Sequence, residues 1–140
     1  MSAIRLMFAM RSEFFRESFA RLLQVDAGLQ VSIAGGCTFA DEVEPLFRRL
    51  DPDILIMDIK LYRGDSLKVM NALLRQDKPA KIIGVSESYK HDISESLEEI
   101  GAHGYLLRND DIKMMKEIIL SVFQGKRMLK RGPSFKEDTE

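Results

Sequence analysis

Asp53-Ile54-Leu55-Ile56-Met57-Asp58 is a short, almost wholly apolar run that stops abruptly at a carboxylate. Such a run reads as a strand buried on both faces, the condition met in parallel sheets covered by helices. An acid at its carboxyl end stands at the sheet edge where open α/β folds place their ligands. The alternative is that Asp58 only starts a loop or caps a turn, and the rest of the chain has to decide between the two.

The chain around this strand alternates. Ile4-Arg5-Leu6-Met7-Phe8-Ala9 reads as a first strand, and Ser12 as the N-cap of the helix after it. Phe15, Phe19 and Leu22, with Phe14, Ser18 and Leu23 beside them, give that helix a wide apolar face, read as core rather than as an aromatic binding surface. Leu29-Gln30-Val31-Ser32-Ile33-Ala34 alternates like a strand near an edge, and Gly35-Gly36 ends it as a turn, since no phosphate-binding fingerprint follows. A helix over 41–50 holds Pro45 in its first turns, where absent backbone donors cost little.

Beyond Asp58 the periodicity predicts a helix from about Asp65 with Leu67, Met70, Leu73 and Leu74 on one side. A buried strand over 81–86 follows, then a weaker helix marked by Ile93, Leu97 and Ile100 and closed by Gly101. A short strand over 104–108 ends in Arg108, and the last helix covers 110–123 with Ile112, Met115, Ile119 and Val122 inward. Five alternations of strand and helix argue for a doubly wound α/β fold with a parallel sheet and helices on both faces. The stretch 126–140 is charged, lacks apolar periodicity and carries Gly132-Pro133-Ser134, so it reads as a disordered end or the start of a linker.

Composition excludes several function classes. At 140 residues the chain is long enough for one core, and a net charge of −1 exerts no global pull toward nucleic acid or an anionic membrane. No apolar run approaches membrane-spanning length, and Arg5, Arg11 and Glu13 break any signal-peptide pattern, which points to a cytoplasmic protein. The single cysteine, Cys37, permits no internal disulfide and no metal-ligand spacing, and reads as inert. His91 and His103 have no ligand partners in sequence and read as solvated.

The strands deliver Met10 and Arg11, Asp58, Ser86 and Arg108 to one rim, a convergence that core packing does not explain. At these residues the sequence resembles the response-regulator receiver (CheY-like) family, in particular its NarL/LuxR-type branch. The resemblance covers about residues 4–130 and is carried by Phe15-Arg16-Glu17, by Pro52 through Ile59, by Ser86, and by Gly101-Ala102-His103-Gly104-Tyr105-Leu106-Leu107. It implies a flavodoxin-like (βα)5 fold with sheet order 2-1-3-4-5, a receiver over 1–130, and a flexible tail or interdomain linker over 131–140.

It also implies roles. Asp58 matches the aspartate phosphorylated from a partner histidine kinase, and Ser86 the hydroxyl that turns inward to hold the phosphoryl group. Tyr105 matches the aromatic whose burial follows that movement, though a half-buried packing role is the plainer reading of it. Arg108 stands where the family has a lysine, and Lys60 would offer a metal only its backbone carbonyl.

The departures from the pattern matter as much. The family places two acids after the first strand to bind Mg²⁺, and this chain has Met10 and Arg11 there. A thioether and a guanidinium do not supply the hard oxygens that Mg²⁺ takes, and Glu13 is displaced along the first helix. Phosphoryl transfer relies on charge stabilisation, so losing the metal removes its main neutraliser. Arg11 and Arg108 are instead expected to fork onto Asp58 and hold it ionised, each contact worth up to about 4 kcal/mol before desolvation. Glu87 replaces the small residue that lets a phosphodonor approach.

The expectation is therefore a pseudo-receiver with no cofactor, acting through protein contact or as a homodimer. The alternative is a conventional receiver phosphorylated on Asp58 that regulates a C-terminal helix-turn-helix output domain. An enzyme on this fold is not expected, since a hydrolase would want an acid where Lys60 stands. No recognition helix or basic patch lies within the chain, so no direct nucleic-acid binding is expected of it.

Overall fold

A computed structural model describes residues 3–25 and 28–130; the sequence expectations for 131–140 lie outside these described residues. The elements alternate strictly: β1 (Ile4–Ala9), α1 (Glu13–Val25), β2 (Val31–Cys37), α2 (Ala40–Leu50), β3 (Ile54–Asp58), α3 (Ser66–Leu74), β4 (Ile82–Ser86), α4 (His91–Ile100), β5 (Gly104–Leu107) and α5 (Ile112–Phe123). All five strands are parallel, in the order β2-β1-β3-β4-β5.

β3 lies at the centre and is buried on both faces, which accounts for its unbroken apolar run. Strand alternation splits the core into two layers. Leu6, Phe8, Ile54, Ile56, Ile83, Val85 and Leu106 face α1 and α5, while Met7, Ala9, Leu55, Met57, Ile82, Tyr105 and Leu107 share the other layer with residues of α2, α3 and α4. Each large side chain so buried contributes about 1.5–3 kcal/mol relative to leaving it in water.

Local chemistry sets the helix ends. The Ser12 hydroxyl accepts from the Phe15 N–H at 3.1 Å, Asp65 accepts from Lys68, and Asp111 accepts from Met114 at 2.8 Å. α4 stops at Gly101, whose φ of 95° an ordinary residue resists.

The structure corrects four expectations about the scaffold. Gly35 and Gly36 lie inside β2, not in a turn after it. The β1–β2 register shifts between Leu6 and Met7, and a Cβ on Gly35 would stand 2.7 Å from Leu50 Cδ1, so a larger residue there would have to push the Leu50 side chain aside. Pro45 lies beyond the first four positions of α2, so it withdraws a donor that the helix would use; Asp41 and Pro45 are exposed, where water can take the freed carbonyl. Phe14 and Leu22 are 80% and 50% exposed, leaving Phe19 and Leu23 as the buried residues of α1. Finally, 126–130 is not loose. Met128 pairs with Gly104 as a parallel bridge on the outer edge of β5, and Leu129 is buried.

A rim built around Asp58

Asp58 ends β3 and is 2% exposed. Its Oδ2 accepts two hydrogen bonds, from the backbone N–H of Arg11 at 2.7 Å and from the Arg108 guanidinium at 3.0 Å. Burial pushes the Asp58 carboxyl above the ordinary carboxylate value. The Arg11 amide, the Arg108 charge and hydrogen bond, and last the Arg11 charge pull it back only in part. The expected hold of two arginines keeping Asp58 ionised is thus outweighed by desolvation.

The two-arginine fork does not form, and strand parity gives the reason. Along β1 the residues alternate between layers, so Met10 follows Leu6 and Phe8 into the α1/α5 core, where it is fully buried and does not line the pocket beside Asp58. Arg11 falls on the opposite face from Asp58, which continues the Ile54 and Ile56 side. Its backbone reaches the carboxylate while its guanidinium lies over the Tyr62 ring, 5.1 Å from the centroid. Arg108 shares the parity of Leu106 and approaches from the α1/α5 side, its Cζ 5.3 Å from the Phe15 ring centroid. One arm of its fork reaches Asp58, and its Nε is buried with no acceptor among the described residues.

On the α4 side the hydroxyls form a chain. Ser86 Oγ donates to the Ser88 carbonyl at 2.8 Å and lies 2.6 Å from the Tyr105 hydroxyl, which in turn accepts from the Lys90 N–H at 3.1 Å. Tyr105 is 1% exposed, not half-buried, and its ring lies 5.5 Å from that of Tyr89. Ser86 is buried as well.

Beside these groups opens a pocket of about 550 Å³ lined by Arg11, Asp58, Lys60, Ser86, Glu87, Lys90, Asp92 and Arg108, among others. Lys60 and Glu87 are exposed at its mouth. Sequence reasoning missed Lys90 and Asp92. Asp92 opens the acidic first turn of α4, the one signal that could have placed it near the rim.

The donor set does not fit Mg²⁺. Asp58 has committed one oxygen to two N–H donors, Met10 is sunk in the core, and Arg11 brings an amide where a carboxylate would be needed. Glu13 lies near Arg16, 3.6 Å away, and is absent from the pocket lining. Among the described residues no group of three His, Cys, Asp or Glu side chains is arranged to hold a metal.

Two other titratable groups differ from the plain solvated case. His103 is half-buried, its Nδ1 accepts from the Ile82 N–H at 3.3 Å, and burial with the Arg127 and Lys81 charges pushes its pKa down. Cys37 is buried and its thiol is raised to about 11, so it stays protonated.

A five-stranded parallel sheet with an acid at the crest of its central strand, and a hydroxyl, an aromatic and a cation around it, defines a doubly wound α/β domain with a polar rim at the carboxyl edge of its sheet. A family model described as the response regulator receiver domain matches residues 12–120, and the chain belongs to that family. The nitrate/nitrite response regulator protein NarP of Escherichia coli K12 is 30% identical over 113 residues, covering 81% of this chain and 52% of the relative. Response regulator GacA of Pseudomonas aeruginosa is 28% identical over 117 residues, covering 84% and 54%. The chain thus spans about half the length of these curated relatives. A two-component response regulator of the LuxR family from Aurantimonas sp. SI85-9A1 superposes with a TM-score of 0.80 at 24% identity, over 91% of this chain and 89% of that one. No helix among the described residues is long and apolar enough to cross a membrane.

Proposed function

We propose that this chain is a pseudo-receiver, a response-regulator receiver that works by protein contact in the cytoplasm without Mg²⁺ and without phosphorylation of Asp58. One observation carries the reading: the chain leaving β1 gives Asp58 a backbone amide and no carboxylate. Phosphoryl transfer depends on positive charge gathered around the transferring group. Here the nearest contacting cation, Arg108, is already spent on the acceptor carboxylate. Glu87 adds like charge at the entrance.

The partner on this reading is another protein, an output domain, a kinase or a second copy. Phe14, Leu22 and Val25 on α1, with Leu120 and Phe123 on α5, are exposed apolar residues that support self-association through the first and last helices. The outer edge of β5 is less suited to that purpose, because Met128 covers it. The chain itself has no role in nucleic-acid binding on this reading.

A conventional receiver phosphorylated on Asp58 by a histidine kinase, and regulating a helix-turn-helix output, is favoured by one feature. Arg108 contacts Asp58 from the place that the family gives to a lysine. Incubation with Mg²⁺ and acetyl phosphate separates the two readings by intact mass. The pseudo-receiver gains no phosphoryl group; a gain that disappears in Asp58→Asn overturns the proposal.

A further inference from the structure

The segment after α5 is built into the receiver. α5 ends in a Schellman arrangement: the Lys126 N–H bonds to the Ser121 carbonyl, the Gly125 N–H to that of Val122, and Gly125 takes a φ of 91°. This turn sends the chain back along β5. There the Met128 N–H donates to the His103 carbonyl at 2.7 Å and its own carbonyl accepts from the Tyr105 N–H at 2.9 Å. Arg127 donates to the carbonyls of Glu98 and Ala102 at the carboxyl end of α4, the end a cation prefers. Leu129 is buried, and its carbonyl accepts from Ser94 Oγ at 2.9 Å, satisfying a serine with no exposure at all.

Tyr105 belongs to this seat and to the Asp58 rim at once. Its N–H holds the segment, and its hydroxyl meets Ser86 and Lys90. A second route returns through α4, because the Ser94 N–H donates to the Lys90 carbonyl while the Ser94 hydroxyl holds Leu129. Tyr105, Lys90, Ser94, Leu129 and Met128 therefore close a ring through four hydrogen bonds and one covalent link. Yet the segment is short, and much of it faces solvent. Lys126, Arg127 and Lys130 are exposed, and one isolated bridge ties it to the sheet. Such a segment opens locally at a fraction of the cost of global unfolding.

We propose that 126–130 is a releasable strap on the edge of β5 whose seating is coupled to the Ser86–Tyr105 hydrogen bond. Engagement of the outgoing chain is then felt at the Asp58 pocket, and a rearranged pocket is felt by the outgoing chain, by the same free energy in both directions. The coupling holds whether the pocket event is a covalent modification or a protein contact, so it stands apart from the pseudo-receiver reading.

The test is amide hydrogen exchange on the full chain, read residue by residue by NMR. Tyr105→Phe deletes the hydroxyl and keeps the β5 backbone, and the Met128 amide should then exchange about tenfold faster while Ile56 in the central strand is unchanged. An unchanged Met128 rate overturns the proposal. So does a Met128 rate that rises only in step with Ile56, since the strap would then open only when the whole domain does. Arg127→Ala, a surface change, supplies the reverse arm and decides alone if Tyr105→Phe does not fold. It should speed the Lys90 amide, which donates to the Tyr105 hydroxyl, and a wild-type rate there overturns the coupling.

Discussion

Asp58 is approached from two sides that hold it by different chemistry. The exit of β1 grips it with a backbone amide, the Arg11 N–H, and sends the Arg11 side chain elsewhere. The exit of β5 grips it with a side chain, the Arg108 guanidinium, packed on Phe15. A backbone grip survives almost any substitution at its own position, whereas a side-chain grip is lost with the residue. The residue whose type departs most from the family pattern, Arg11, therefore acts on Asp58 through an atom its side chain does not determine. The Asp58 rim tolerates change at β1 and is brittle at β5.

The largest effect expected from this contrast is at Arg108. Arg108→Ala leaves a carboxylate that is 2% exposed with one amide donor, at a cost of about 3 kcal/mol at neutral pH. Part of this is the packing on Phe15 and is independent of pH. The rest follows the charge on Asp58. Its folded pKa lies above the ordinary 3.8, so its contribution to stability is fully present below that value and is lost as pH rises through the folded pKa. Removing Arg108 raises the folded pKa further, so the variant's deficit should shrink as the pH is lowered toward 4. Urea denaturation at several pH values measures it, and a deficit that does not vary with pH would break the comparison by making Arg108 only a packing residue.

A smaller effect is expected on the α4 side. Ser86→Ala removes the hydroxyl 2.6 Å from Tyr105 but leaves the Tyr105 hydroxyl bonded to the Lys90 N–H and near the Ser88 carbonyl at 3.3 Å. The loss should be about 1 kcal/mol, the worth of one hydrogen bond whose partner keeps others. Because Ser86 does not bond Asp58 in this structure, the pH dependence of stability should follow that of the wild type, in contrast to Arg108→Ala.

Most of the scaffold was legible from periodicity, because buried parallel strands and amphipathic helices write their burial into residue type. The order of elements and the position of Asp58 at a strand end both followed from it. What was misread depended on parity or on contacts far apart in sequence. Counting by twos along Leu6, Phe8 and Met10 would have put Met10 in the core and Arg11 on the face away from Arg108. In sequence the glycines of β2 read as a turn because nothing local reveals that Leu50 and Arg16 crowd them. Residues 126–130 carry only two apolar side chains, too few for a period, and their order comes from hydrogen bonds to α4 and β5.

The smallest expected effect is the sharpest probe of the contrast at Asp58. Arg11→Ala deletes a guanidinium stacked on Tyr62, a ring that is itself 61% exposed, and leaves the amide bond to Asp58 in place. An exposed cation–π contact is worth about 0.5–1 kcal/mol, so the variant should lose no more than that. In a double-mutant cycle with Tyr62→Ala nearly all of the loss should appear as coupling to the ring, and a cycle with Arg108→Ala should be close to additive. Strong coupling to Arg108 would mean that the Arg11 side chain acts on the carboxylate after all, and that the division between a backbone grip and a side-chain grip is false.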